Sequence, residues 1–109
     1  MDIVFKDISP GLFKAKVLEV KEEKGRYGPF LRITFSIIEK GDLCHYRFSG
    51  IVKPTSLKQS KFFRWMKTIL GKEPQEKFST QCIIGKECLI YIDKHNNYYS
   101  VKEVRKIEV

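Results

Sequence analysis

The chain has 109 residues, 42% hydrophobic and 31% charged, with a formal charge of +8. That length implies one domain, residues 1–109, and the composition is that of a globular chain rather than a disordered one. Three irregularly spaced cysteines exclude a disulfide framework, and no run approaches the ~18 apolar residues of a membrane span.

The opening "MDIVFKDISPG" lacks the basic and apolar regions of a signal peptide. With the cysteine usage, this predicts a cytoplasmic protein. From Leu12 to Glu22 the pattern reads as a strand. Phe13, Ala15 and Val17 alternate with Lys14 and Lys16, and then Leu18 and Val20 take over the apolar side. Such a phase shift is what a β-bulge produces. Glu22 to Pro29, with two glycines and a proline, reads as a turn.

The second strand runs from about Phe30 to Glu39. Leu31, Ile33, Phe35 and Ile37 face the core, while Phe30, Arg32, Thr34 and Ser36 face away. Lys40-Gly41-Asp42 reads as a hairpin turn. A third strand is expected from about Leu43 to Val52. Its parity puts Cys44, Tyr46, Phe48 and Val52 inward, and His45, Arg47 and Ser49 outward.

A helix follows. Ser56 with Gln59 fits a capping box, and Gly71 fits the C′ position. Phe62, Phe63, Met66, Ile69 and Leu70 gather on one arc, with Lys61, Arg64 and Lys67 opposite. Trp65, at the edge of the apolar stripe, reads as the anchor of the helix on the sheet. Residues 73–85 read as irregular or as a short helical turn. A fourth strand places Cys88, Ile90 and Ile92 inward and Tyr91 outward. Lys94-His95-Asn96-Asn97 reads as a turn, and a fifth strand starts at Tyr98.

The order β-β-β-α-β-β predicts an all-β fold with one helix, a five-stranded OB-fold barrel. An open α+β sheet is the alternative. In an OB-fold, strands two and three and the loops 1–2 and 4–5 form the binding surface. Here that surface would gather Arg26, Tyr27, Phe30, Arg32, His45, Arg47 and Tyr98, with Lys14, Lys16 and Tyr91 on outward parity. From Leu43 to Lys72 no acidic residue occurs, while Arg47, Lys53, Lys58, Lys61, Arg64, Lys67 and Lys72 do. A single-sign run sets up a field that attracts phosphates. Phe30 either packs beneath a neighbouring segment or serves, beside Arg32, as a platform for stacking bases.

No GxSxG, GxxxxGK[ST] or HExxH motif occurs, so neither an enzyme nor a cofactor is expected. The spacing of Cys44, Cys82, Cys88, His45 and His95 does not suit zinc, and Cys44 and Cys88 read as small buried residues on strands.

The stretches "GRYGPFLRITFSI", "KPTSLKQSKFFRWMKTILGK" and "IIGKECLIYID" resemble small phage and prokaryotic OB-fold single-stranded DNA-binding proteins. The resemblance implies sequence-tolerant binding of single-stranded DNA in replication, recombination or repair. It points to Arg26, Tyr27, Phe30 and Arg32, and to Lys53, Lys58 and Lys61. The ending "VKEVRKIEV" lacks the acidic recruiting tail of the general bacterial proteins, and a homo-oligomer is compatible with the pattern. An RNA-binding OB domain and a module docking an acidic protein are the competing readings.

Overall fold

The computed structural model describes residue 2 and residues 8–107. Most of the N-terminal stretch read for a leader, and the last two residues of the ending, lie outside the described residues. The fold is mostly β: β1 (Gly11–Gly25), β2 (Gly28–Ile37), β3 (Arg47–Val52), β4 (Glu87–His95) and β5 (Tyr98–Arg105), with one α-helix, α1 (Lys61–Leu70). One turn of 3₁₀ helix, Thr80–Ile83, precedes β4.

All strand pairs are antiparallel, in the order β3-β2-β1-β4-β5. Among the described residues no hydrogen-bonded ladder joins β3 to β5, so the sheet is not closed into a barrel. The expected strand number and chain order hold; the closure does not appear. The two end strands still approach each other, and a Cβ on Gly50 of β3 would lie 3.0 Å from the carbonyl oxygen of Val101 on β5.

β1 carries the expected bulge. Val17 pairs with Phe35 and Glu19 with Thr34, so Leu18 is the extra residue that moves the inward set from Val17 to Val20. The half before the bulge pairs with both β4 and β2, and the half after it with β2. One strand thereby serves both wings of the sheet.

The β1–β2 connection is tighter than the sequence suggests. Gly25 pairs with Gly28, leaving Arg26 and Tyr27 as the two tip residues. Gly28 has φ 112°, a conformation that L side chains rarely adopt. β4 and β5 close in the same way over Asn96 and Asn97, at φ 52° and 78°.

Two expectations fail locally. The third strand starts at Arg47, not Leu43, because the amides of Cys44 and Tyr46 bond back to Gly41 and Leu43, and His45 has φ 73°. These are turn bonds, so strand parity does not apply there. Cys44 is half-buried in a turn, and Tyr46 is 55% exposed rather than in the core. The helix cap is Ser60, not Ser56. Ser60 Oγ accepts from the Phe63 amide at 3.1 Å, while Leu57 and Ser60 form a turn ahead of it. A capping box needs Glu or Gln where Phe63 stands, so the Ser56–Gln59 spacing was incidental. Gly71 ends the helix at φ 77°, as expected.

The core joins Val17, Ile33, Phe35, Ile37, Ile83, Cys88, Ile90 and Ile92 to Trp65, Met66 and Ile69 of α1. Trp65 is completely buried, edge-on to Phe35 at 6.4 Å between ring centroids. Its indole N–H donates to Glu103 Oε1 at 2.9 Å. The benzo edge of the indole fills the space where Gly50 has no side chain: a Cβ there would lie 2.7 Å from Trp65 Cη2.

Gly50→Ala should therefore force Trp65 or the β5 backbone to move, with a loss of about 1–3 kcal/mol. The urea midpoint should fall with an unchanged m-value. Burial pushes the Cys88 thiol up to about 12, whereas Cys82 is exposed. A thiol reagent at neutral pH should modify Cys82 in the native protein and Cys88 only after unfolding.

Candidate nucleic-acid interface

The outward parity of β2 leaves Phe30, Arg32 and Thr34 half-buried, whereas Ser36, expected to face away with them, is buried. Register alignment across β1, β2 and β3 sets Lys21, Arg32 and Ile51 side by side, then Glu19, Thr34 and Ser49, then Lys16, Ser36 and Arg47. Thr34 and Ser49 share a hydroxyl–hydroxyl contact of 3.2 Å. Phe30 comes one step beyond Arg32 on the same face.

At that end lies a depression of about 380 Å³. Its walls are the β1–β2 tip with Arg26 and Tyr27, then Phe30, and Ile51 and Lys53 of β3. Tyr27 is 85% exposed. The Phe30 ring sits on Gly25, where an added Cβ would be 3.0 Å from two ring carbons. Phe30 thus packs against the neighbouring turn and lines the depression as well. The Arg26 guanidinium lies 5.8 Å from the Tyr27 ring centroid, and that of Arg32 lies 5.9 Å from the Phe30 centroid. Arg32 Nε also donates to Glu23 Oε1 at 3.0 Å. That pair is partly exposed, so it contributes about 1 kcal/mol or less to stability; its evident effect is to orient the guanidinium.

Beyond Ile51, which is 52% exposed, a second pocket of about 230 Å³ opens. It is bounded by Arg32, Ser49, Lys61, Ser100 and Lys102. Lys61 opens α1, and its ammonium lies 4.6 Å from the centroid of the Trp65 ring. Burial pushes the Lys61 pKa down from the ordinary lysine value; Glu103 opposes this, and Lys102 and Arg64 add to it. Tyr98, 78% exposed, shares strand parity with Ser100, about 7 Å further along β5.

Of the residues expected at the interface, Arg26, Tyr27, Phe30, Arg32, Lys53 and Lys61 come together here, with Tyr98 on the adjoining strand. Arg47 and Lys16 share the sheet face, but their row lies about 13 Å from Arg32 along β2. Lys14 lies further still, opposite Leu89 of β4. His45 is in the turn past the far end of β2. Tyr91 is half-buried between Leu12 and Glu103, away from both pockets. Lys58 lines a different groove, with Phe62, Phe63 and Pro74.

The basic run of residues 43–72 also divides. Arg64 is paired with Glu103 at 2.8 Å, and Lys67 with Glu73 at 3.8 Å. Sequence reasoning missed Ile51, Ser100 and Lys102. Alternation from Tyr98 through Ser100 to Lys102 was available as a signal. The bulge that pairs Tyr91 with Glu103 and Ile92 with Val101, leaving Lys102 as the extra residue, was not.

Among the described residues no three His, Cys, Asp or Glu side chains gather as a metal site requires. No helix among them is long and apolar enough to cross a membrane. No protein-family model matches the chain, and neither does any curated protein sequence.

Proposed function

We propose that this protein binds single-stranded DNA with little sequence preference, through the groove between the β1–β2 tip, the outer faces of β2 and β3, and the start of α1. The observation that carries the reading is the pairing of rings with cations at the groove: Arg26 with Tyr27, and Arg32 with Phe30. Rings offer a π-face that any base can stack on, at about 1–3 kcal/mol per base, and guanidinium groups meet the phosphates between bases. Lys53, Lys61 and Lys102 extend the same positive surface. Glu23 touches this surface and is engaged by Arg32.

The strand order supports an OB-type reading of the fold. β1 is central, β3 and β5 are the converging ends, and α1 comes between β3 and β4. A barrel closing between β3 and β5 around Gly50 and Val101 is the architecture this arrangement approaches. The resemblance to small phage and prokaryotic single-stranded DNA-binding proteins belongs to the same proposal, as does a place in replication, recombination or repair in the cytoplasm. Binding needs no catalysis and no cofactor.

Anisotropy of a labelled dT oligomer, titrated across a salt series, tests the proposal. Engagement of the five groove cations, Arg26, Arg32, Lys53, Lys61 and Lys102, should give a log–log salt slope of about −3.5. Tyrosine emission should report the contact through Tyr27 and Tyr98. Trp65 is fully buried, so its emission should change little. Absence of binding at low salt would sink the proposal. An RNA oligomer of equal length, competing equally well, would move the assignment to single strands in general.

Replacing Phe30 and Arg32 together by Ala should weaken binding at least about tenfold, by loss of a stacking ring and a phosphate contact. The thermal midpoint should shift only slightly. Glu23→Gln should strengthen binding, because it removes a negative charge beside Arg32. Unchanged affinity in both variants would place the site elsewhere.

A further inference from the structure

The pocket bounded by β2, β3, β5 and the start of α1 has a chemistry distinct from the ring-lined depression beside it. Its side chains include three cations, Arg32, Lys61 and Lys102, and two hydroxyls, Ser49 and Ser100, and no carboxylate lines it. These groups come from four different elements. We propose that this pocket is a phosphate subsite, in which Arg32, Lys61 and Lys102 surround one phosphate group and Ser49 and Ser100 hydrogen-bond its oxygens.

Arg32 is held through Nε by Glu23, and among the described residues its two terminal nitrogens make no hydrogen bond to protein. Lys61 is held over the Trp65 ring, and among the described residues its ammonium makes one hydrogen bond, a long one of 3.5 Å to the Ile51 carbonyl. Lys102 has no ion pair among the described residues. Glu103, the nearest acid in sequence, is committed elsewhere: it accepts from Arg64, from the Trp65 indole and from the Val104 amide. Burial disfavours the charged form of Lys61 most; Glu103 favours it, and Lys102 repels it more weakly than Glu103 attracts it. An anion placed among the three cations relieves that repulsion.

The size agrees. About 230 Å³ leaves room for a phosphate group together with water. Ile51 is a wall of both pockets. A base stacked on Phe30 and its neighbouring phosphate would lie on either side of it. The phosphate chemistry stands on the pocket alone; its assignment to a DNA strand rests on the function proposed above.

Lys102→Ala is the informative variant, because Lys102 is exposed and outside the core. Binding of labelled dT oligomer across a salt series should weaken by about three- to tenfold at low salt, with the slope reduced by about 0.7, the value of one phosphate contact on a single strand. Ser100→Ala should weaken binding without changing the slope. Lys40→Ala, in the exposed β2–β3 connection, should change neither. If the parent binds dT and Lys102→Ala binds with the same affinity and slope, the subsite is wrong and the single-strand reading stands. If the parent does not bind dT, the single-strand reading falls, and thermal unfolding in inorganic phosphate against chloride at matched ionic strength decides the pocket. A phosphate-specific rise in midpoint that Lys102→Ala abolishes makes it a free-phosphate site; no rise overturns it.

Discussion

The structure turns on one contact, the Trp65 indole beneath Gly50. Glycine at position 50 lets the indole edge reach the β3 backbone, where any Cβ would collide. Glu103 of β5 takes the indole N–H at 2.9 Å, so the ring is tied to β5 while it packs on β3. A buried indole donor left unpaired would cost about 1–3 kcal/mol, so the tie is favoured over any rotated packing. One side chain of α1 thus draws together the two strands at opposite ends of the sheet order.

The groove depends on that junction. Four residues before Trp65 comes Lys61, one helical turn away and over the same ring. Whatever fixes Trp65 also fixes the ammonium beside β3 and β5. Glu103 serves both levels, since its second oxygen takes Arg64 at 2.8 Å while its first holds the indole. That division separates the helix cations by their partners. Arg64 is drawn into the structural junction, Lys67 reaches Glu73, and Lys61 stays at the groove.

Much of this was legible in the sequence because β alternation is a local property. The outward set of β2, the β1 phase shift and the inward set of β4 follow from side-chain parity. They needed no knowledge of what packs against them. The failures come where a turn overrides parity or where a partner is remote in sequence. Tyr46 and His45 looked like strand residues, but a left-handed φ at His45 and two turn bonds remove them from the ladder. Ser56 was read as the cap, but the residues that continue into the amphipathic stripe follow Ser60, while Leu57 after Ser56 lies 63% exposed. Lys102 shares the parity of Tyr98 and Ser100, but the bulge that leaves it unpaired on β5 depends on its register with β4. No window of the sequence contains that relation.

The charge run shows why composition underdetermines a binding surface. Seven cations without an acid between Leu43 and Lys72 suggest one continuous basic patch. Folding distributes them among the sheet face, the groove, a second groove beside Phe62, a third beside Phe78 that holds Lys72, and two ion pairs with acids outside the run or at its edge. Of the run, Lys53 and Lys61 reach the groove, where Arg26, Arg32 and Lys102 join them from outside it; three of these five are held against rings, Arg26 by Tyr27, Arg32 by Phe30 and also Glu23, and Lys61 by Trp65. Long flexible cations lose side-chain entropy when they bind a phosphate. Cations already held against rings have lost part of it in folding, so less remains to oppose binding. By this argument the few groove cations beside aromatic rings outweigh the more numerous ones spread over the rest of the surface.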